Sequence, residues 1–298
     1  MIMESWRRKR EVWVLLAPAL AILAVVTFTP LLRTLWLSFT NAEITALDQA
    51  VEWVGFENYI WALTDPDFRD ALWRTLYFTI MSVGLETVFG VAVAMLLNVE
   101  FKGRALVRTL IILPWAVPTI VNAMMWRLIF HPDYGSFNAA LTQLGITESY
   151  RSWLGDPGIA MNMVILADVW KNYPLIAFVV LAALQTIPRE LFDAARVEGA
   201  GAWHQFRSII MPGIIGPLLV IVILRTIEAF RVFDIVYAMT RGGPADSTKT
   251  ASFFVYQEYF AYLRSGSGAS YAVLVAVISA LMIAVYFNMI RRQNQGGY

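Results

Sequence analysis

The 298-residue sequence contains no cysteine and only two histidines, His131 and His204. The lack of cysteine excludes disulfides, thiolate metal sites and a cysteine nucleophile. The sequence also lacks a G-x-x-x-x-G-K-[ST] run and an H-E-x-x-H run, so the chain has no phosphate-binding P-loop and no zinc-peptidase motif of its own. We therefore predict that this chain binds no cofactor and that its energy source lies in another protein.

Charged residues are scarce as well, since they form 15% of the chain and leave a net charge of +1. A nearly neutral chain is not expected to bind nucleic acid. Hydrophobic residues form 58% of the sequence, which is more apolar surface than one soluble core of this length can bury. The composition therefore predicts a membrane protein.

Six stretches are long and apolar enough to cross a bilayer as helices, which takes about 20 residues. They are residues 12–32, 75–97, 109–130, 159–184, 214–237 and 271–290. The basic segment "WRRKR" precedes the first stretch, but the apolar run is longer than the roughly 7 to 15 residues of a secretory signal, and we interpret it as a retained anchor. The predicted fold class is all-α, a polytopic membrane protein with six transmembrane helices.

The distribution of lysine and arginine predicts the orientation of these spans. The N-terminus, residues 100–108, residues 186–212 and the tail hold twelve of them, whereas the longer connections at 41–70, 131–158 and 240–269 hold five. Because basic residues concentrate in cytoplasmic connections, both termini are predicted to be cytoplasmic. The predicted organisation is a cytoplasmic N-terminus (1–11), a membrane domain (12–290) with a cytoplasmic loop (189–212), and a cytoplasmic tail (291–298).

The cytoplasmic loop is predicted to begin with a short helix. Pro188 suits the first helical position, and Glu190 and Asp193 follow where the helix dipole favours negative charge. Gly199 and Gly201 then provide a flexible stop. The sequence thus predicts a helix followed by a bend.

A second amphipathic helix is predicted after this bend. Trp203, Phe206 and Ile210 follow at helical spacing, and Pro212 is expected to end the helix. A helical hairpin lying on lipid headgroups would show the same pattern. Amphipathicity alone therefore leaves two interpretations open, a membrane-surface element and a partner-binding element.

The residue order in this loop is more specific than its amphipathicity. The pattern begins with an acidic residue and two alanines, continues with a glycine after three further residues and an isoleucine after nine more, and ends with a hydrophobic residue before proline. The matching residues are Asp193, Ala194, Ala195, Gly199, Ile209, Met211 and Pro212. This pattern resembles the EAA loop of binding-protein-dependent ABC import permeases of the type I (MetI-like) fold, with Asp193 in place of the usual glutamate. The stretches "TLIILPWAVPTIVNAMMW", "WKNYPL", "AFRVFD" and "TRGGPADST" resemble the carbohydrate-uptake branch, similar to maltose and glycerol-phosphate permeases.

This resemblance implies a sugar-transport subunit of the bacterial cytoplasmic membrane that is not itself an enzyme. The implied partners are a second homologous permease, two copies of a cytoplasmic ATPase that bind ATP and Mg, and an extracytoplasmic solute-binding protein. A polyol or a glycerol-phosphate-like solute is the alternative substrate. The residues expected to couple to the ATPase are Asp193, Ala194, Ala195, Glu198, Gly199, Trp203, Phe206 and Pro212.

Ionisable side chains inside the spans are costly and indicate either pairing or a transport path. Five lie well inside the spans, at Glu86, Asp168, Lys171, Arg225 and Glu228. They could form buried pairs that lock span four to span five, or line a polar cavity at mid-membrane. Hydroxyls of a sugar suit charged and amide side chains, and its C–H faces suit aromatic rings. The predicted substrate-path residues are Asn122, Asp168, Trp170, Lys171, Asn172, Tyr173, Arg225, Glu228, Phe230, Arg231 and Asp234, whereas Trp126 is interpreted as an interfacial anchor.

Two other functional classes remain as alternatives. An ion-coupled secondary transporter would also place charges at mid-membrane, but it predicts an internal repeat, and the EAA-like stretch occurs once. A membrane-bound enzyme would need a cluster of catalytic groups, and the two histidines are predicted to lie on opposite faces of the membrane. The sequence therefore favours the ABC permease.

Overall fold

The computed structural model describes residues 2–45 and 50–295. The helices are α1 (Ile2–Leu37), α2 (Glu57–Thr64), α3 (Pro66–Asn98), α4 (Arg104–Ala116), α5 (Thr119–Ile129), α6 (Ser136–Gln143), α7 (Ala160–Leu184), α8 (Arg189–Val197), α9 (Ala202–Gln205), α10 (Met211–Phe230), α11 (Asp234–Met239), α12 (Ala251–Tyr256) and α13 (Ser265–Gln295). Wider π-helical turns occupy Phe206–Ile210 and Gln257–Ala261. Within these two ranges of the chain, extended pairing is limited to a single bridge between Thr40 and Trp53, so the all-α class is confirmed. Residue 1 and residues 296–298 of the predicted termini lie outside the described residues.

The chain divides into two compact units, Met1–Pro66 with Val255–Val277, and Asp67–Phe254 with Ile278–Tyr298. In the first unit, the N–H of Gly266 donates to the carbonyl of Ala42 at 2.8 Å. A Cβ on Gly266 would collide with the carbonyl of Thr40, so this close approach requires glycine. The Tyr271 hydroxyl donates to the Asp65 carboxylate at 2.5 Å. These bonds fix the start of α13 within its unit.

The second unit has its hydrophobic core between α3, α7 and α10. Ala94 and Leu97 of α3 pack with Ile176 and Val180 of α7 and with apolar residues of α10. In the most apolar stretch of α7, 61% of the residues are buried within the protein. The buried share is at most 33% in each of the other single helices that are long and apolar enough to cross a membrane. The central helix of this unit is therefore α7, and residues on its successive turns contact neighbours on several sides.

By length and composition, five helices of the described residues can cross a membrane, and the α4–α5 pair, which is bent by 97°, makes six if the pair forms one span. The span predicted over residues 109–130 is therefore built from two helices that meet at this bend. The break falls at Val117, which is extended with φ −71° and ψ 129°. Pro118 causes it, because proline disfavours the helical conformation of the preceding residue and has no N–H to donate.

The fifth predicted span, 214–237, ends earlier than its hydropathy indicates. Helix α10 stops at Phe230, and the chain turns at Arg231 before the short helix α11. The apolar residues Ile235 and Val236 extended the predicted span, but both are buried among protein side chains. Hydropathy does not distinguish burial in protein from exposure to lipid, so it joined two separate helices.

Candidate functional site

The Arg225 guanidinium on α10 lies between carboxylates from two other helices. It contacts Glu86 of α3 through Nε–Oε2 at 2.8 Å and Nη2–Oε1 at 2.9 Å, and Asp168 of α7 through Nη2–Oδ2 at 3.4 Å. Its Nη1 donates to Oε2 of Glu228, one turn along α10, at 2.7 Å. Arg225, Glu86 and Asp168 are buried. Three helices thus meet at one ion cluster, which we define as Glu86, Asp168, Arg225 and Glu228.

The remaining polar atoms around this cluster are also bonded. The Ser82 hydroxyl lies 2.5 Å from Oδ2 of Asp168 and 3.0 Å from Oε1 of Glu86. Asn172 donates to Oδ1 of Asp168 at 2.8 Å and to its backbone carbonyl at 3.0 Å. Buried charges persist in proteins when they are paired and hydrogen-bonded in this way, and removing one member is far costlier than replacing the set.

The predicted pairing between spans four and five is found in part, since Arg225 of span five contacts Asp168 of span four. Lys171 makes no ion pair with any described residue, and its amine donates only to the carbonyl of Trp115 at 3.5 Å. Arg225 also pairs with Glu86, a residue 139 positions earlier in the chain. Glu86 was predicted as an ionisable residue inside a span, but its pairing with Arg225 was not predicted. Ser82 was not predicted as part of the site. A signal was available, because Ser82 precedes Glu86 by one helical turn on the same face.

A cavity of about 440 Å³ adjoins the ion cluster. Seven of the eleven predicted path residues are in its lining, namely Asp168, Lys171, Asn172, Arg225, Glu228, Arg231 and Asp234. The Glu228 side chain is 61% exposed, in contrast to the buried members of the cluster. The cavity wall therefore contains positive charges, negative charges and an amide. Such a wall can donate hydrogen bonds to hydroxyl groups and accept hydrogen bonds from them.

The other four predicted path residues, Asn122, Trp170, Tyr173 and Phe230, are not in this lining. Asn122 is fully buried and donates to the carbonyl of Ala167 at 3.2 Å. Trp170 packs edge-to-face against Trp126 at 5.9 Å between ring centroids. The Nε1 of Trp126 is enclosed, with no hydrogen-bond partner among the described residues, whereas an interfacial anchor exposes this N–H to water or headgroups.

The loop at 189–212 begins with α8, which starts one residue after Pro188. Gly199 has φ +77°, the left-handed conformation that favours glycine. The N–H of Ala200 donates to the carbonyl of Ala195 at 2.8 Å and that of Gly199 to Arg196 at 3.0 Å. This is a Schellman motif, which ends α8. None of the nine residues of α8 is buried, and its apolar residues Leu191 and Val197 are exposed in this chain.

The second half of the loop continues into the membrane without a break. After α9, the turn at Phe206–Ile210 widens to the π-helical pattern, and the N–H of Met211 donates to the carbonyl of Phe206. Pro212 then lies in the first turn of α10, so the prediction that it ends the helix is wrong. Proline is tolerated there because the widened turn before it relieves the clash of its ring with the preceding turn. Helix therefore extends over Ala202–Phe230.

Across the described parts of the chain, no group of three or more histidine, aspartate or glutamate side chains is placed to hold a metal ion. What the geometry offers is a polar cavity beside a buried ion cluster, and a separate exposed helix with uncovered apolar side chains.

Comparisons with known proteins place this arrangement in a family. The family model described as "Binding-protein-dependent transport system inner membrane component" matches residues 86–295. The chain belongs to this family. It is 35% identical over 285 residues to the trehalose/maltose transport system permease protein MalF of Thermococcus litoralis, covering 96% of this chain and 95% of that protein. It is 32% identical over 282 residues to the sn-glycerol-3-phosphate transport system permease protein UgpA of Pectobacterium atrosepticum, covering 94% of each.

Solved structures give the same fold for this permease. It is similar to a chain of a bacterial ABC transporter involved in the import of the acidic polysaccharide alginate, with a TM-score of 0.84, 21% identity and 98% of both chains covered. A chain of the MetNI methionine ABC transporter aligns with a TM-score of 0.57 and 18% identity over 79% of this chain and 98% of that one. The predicted ABC-importer permease fold is thus confirmed. The permease is a multi-pass inner-membrane transport subunit and not an enzyme.

Proposed function

We propose that this permease translocates a carbohydrate and that the solute passes through the 440 Å³ cavity beside the ion cluster. The observation that carries the proposal is the cavity lining, in which seven predicted residues from distant parts of the chain converge. Cavities of a few hundred Å³ with a few placed polar groups are typical of small-molecule sites. Relatives named for trehalose/maltose and for sulfoquinovosyl glycerol support a carbohydrate.

The second part of the proposal concerns coupling to ATP. We infer that α8 and the following turn, which include Asp193, Gly199, Trp203 and Phe206, dock on a cytoplasmic ATPase that binds ATP and Mg. The uncovered side chains support this, since Val197 is 90% and Trp203 72% exposed. A large exposed apolar patch marks an interaction surface. Ala194 and Ala195 would allow a close approach of the ATPase surface.

The proposed assembly has this permease paired with a second, homologous permease, two ATPase copies and an external solute-binding protein. The binding-protein dependence is part of the family description. The proposed orientation places both termini and α8 in the cytoplasm, as the lysine and arginine distribution predicts. Closure of the ATPase dimer would then move α8 and α10 together and change the side to which the cavity opens.

An alternative substrate class is a polyol or glycerol-phosphate-like solute. The observation that favours it is Lys171, whose amine lines the cavity without an ion pair among the described residues and could meet an anionic group. The relative named for sn-glycerol-3-phosphate supports the same alternative.

The test uses the reconstituted complex with its binding protein. Uptake of radiolabelled maltose, trehalose and sn-glycerol-3-phosphate is measured beside the rate of ATP hydrolysis in the same liposomes, for the native chain and for Lys171→Met. A neutral sugar as substrate predicts a moderate loss of uptake in the variant, whereas an anionic solute predicts a loss of roughly tenfold or more. Absence of ATP-dependent uptake of every carbohydrate offered by a cognate binding protein would reject the proposal.

A further inference from the structure

A second cavity, of about 870 Å³, lies where the ends of α3 and α7 meet the start of α4 and one side of α8. Its ionisable lining residues are Arg104, Arg108, Arg189, Arg196, Glu100 and Asp193. Four guanidinium groups thus face one cavity with two carboxylates, an excess of two positive charges. Neither the ion cluster nor the solute path accounts for this concentration of arginine.

Two of the four arginines have carboxylate partners, but these pairs are exposed. Arg189 lies 3.3 Å from Glu100, and Arg196 lies 3.0 Å from Asp193 on the same helix. The two arginine and two carboxylate side chains of these pairs are each more than 65% exposed. Ion pairs at such positions contribute little to stability because water and salt screen them. These two arginines can therefore turn toward another anion at low cost.

The other two arginines, on α4, have no carboxylate partner. Arg104 makes no ion pair with any residue that the structure describes. Arg108 donates through Nη2 to the carbonyl of Leu97 at 3.1 Å, while its Nε is buried without a partner in the described chain. The two residues are four apart, so their side chains share one face of α4. That face presents two half-buried positive charges to the cavity.

We propose that this cavity binds a phosphate group, supplied by the headgroup of an anionic phospholipid or by a soluble phosphate compound. Guanidinium groups recognise phosphate through paired N–H donors, and basic pockets between helices at the cytoplasmic side of a membrane bind anionic headgroups. Arg108 reaches the last turn of α3, at one end of the apolar span Pro66–Asn98. A bound phosphate would join α4 to Arg189 and Arg196 of α8. Only the assignment of this end to the cytoplasm rests on the proposed function.

The test measures binding to the purified complex by native mass spectrometry, with phosphatidylglycerol and phosphatidylcholine as lipid probes. Inorganic phosphate is the soluble probe and competitor. Arg104→Gln, which breaks no contact in the described chain, is compared with the double variant Arg104→Gln/Arg108→Gln. Lys102→Gln is the control, because it removes a like charge from the same segment but lies outside the cavity lining.

The expected loss of phosphatidylglycerol affinity is roughly 5-fold for Arg104→Gln and 10- to 30-fold for the double variant, with less than a twofold change for Lys102→Gln. A lipid source predicts that inorganic phosphate does not displace phosphatidylglycerol, and a soluble source predicts that phosphate binds and displaces it. Equal binding by all variants would overturn the proposal. So would lipid binding that occurs only when the ATPase is removed, since an acidic side chain of the ATPase would then fill the cavity. The measured quantity is lipid or phosphate binding rather than sugar uptake. A failure of this proposal is therefore distinguishable from a failure of the proposed transport function.

Discussion

The ion cluster in the membrane and the charged surface around α8 use the same residue types in opposite ways. In the cluster, Arg225 is 5% exposed and is held by Glu86, Asp168 and Glu228. Around α8, Arg189 and Glu100 form a pair whose side chains are 88% and 78% exposed. When a buried ion pair loses one member, the other charge is left without compensation. When an exposed pair loses one member, water solvates the remaining charge. The first arrangement fixes helices, and the second leaves a surface free to change partners.

The largest expected effect comes from removing the central cation. Arg225→Met leaves Glu86 and Asp168 without their cation, and breaking a buried pair in this way costs about 3 to 5 kcal/mol. We expect a large fall in the yield and melting temperature of the detergent-solubilised complex. The triple variant Arg225→Met/Glu86→Gln/Asp168→Asn should recover most of the yield. Native-like stability of Arg225→Met alone would show that the cluster does not hold the helices together.

A second prediction tests whether the conformation of the α8 surface matters for coupling. Gly199→Pro cannot keep the φ of +77°, since proline is fixed near −65°. We expect normal insertion but loss of binding-protein-stimulated ATP hydrolysis. Gly201→Pro is the matched control, because Gly201 has φ −69°. If the binding protein stimulates ATP hydrolysis by the Gly199→Pro variant to the native rate, this bend is not required for coupling.

The third prediction compares two glutamates that contact the same arginine. Glu228→Gln changes an exposed carboxylate in the cavity lining, so we expect near-native stability with sugar uptake reduced several-fold or more. Glu86→Gln changes a buried carboxylate outside that lining, so we expect lower stability. Melting temperature and uptake are measured for both variants in the same preparation. The reverse ranking would place the solute path away from Glu228.

The smallest perturbation tests the side of the membrane on which the α8 surface lies. Since the chain has no cysteine, Ala50→Cys and Lys102→Cys can each be labelled without background. A membrane-impermeant thiol reagent added to intact cells should label position 50 and spare position 102, and both should react after the membrane is opened. Labelling of position 102 in sealed cells would reverse the orientation.

Local chemistry made the α8 region predictable from the sequence. The dipole-facing acids and Gly199 act within a few residues, so they indicated a helix and its end without reference to the rest of the chain. The partnership of Arg225 with Glu86 joins residues 139 apart and depends on how α3 packs against α10, which spacing along the chain does not encode. The effect of a proline depends on the backbone that precedes it. Pro118 breaks a helix, whereas Pro212 lies in a first turn whose position depends on the π-helical segment before it.

The uninterrupted helix over Ala202–Phe230 makes the turn at Trp203 and the ion cluster parts of one rod. Trp203 and Arg225 lie on this rod, separated by roughly 33 Å at 1.5 Å per residue. If Trp203 is held by an ATPase while the rod pivots, a tilt of about ten degrees moves the far end by about 6 Å. That displacement exceeds the length of any hydrogen bond in the ion cluster, so the cluster must either move as a body with its three helices or exchange partners during each transport cycle.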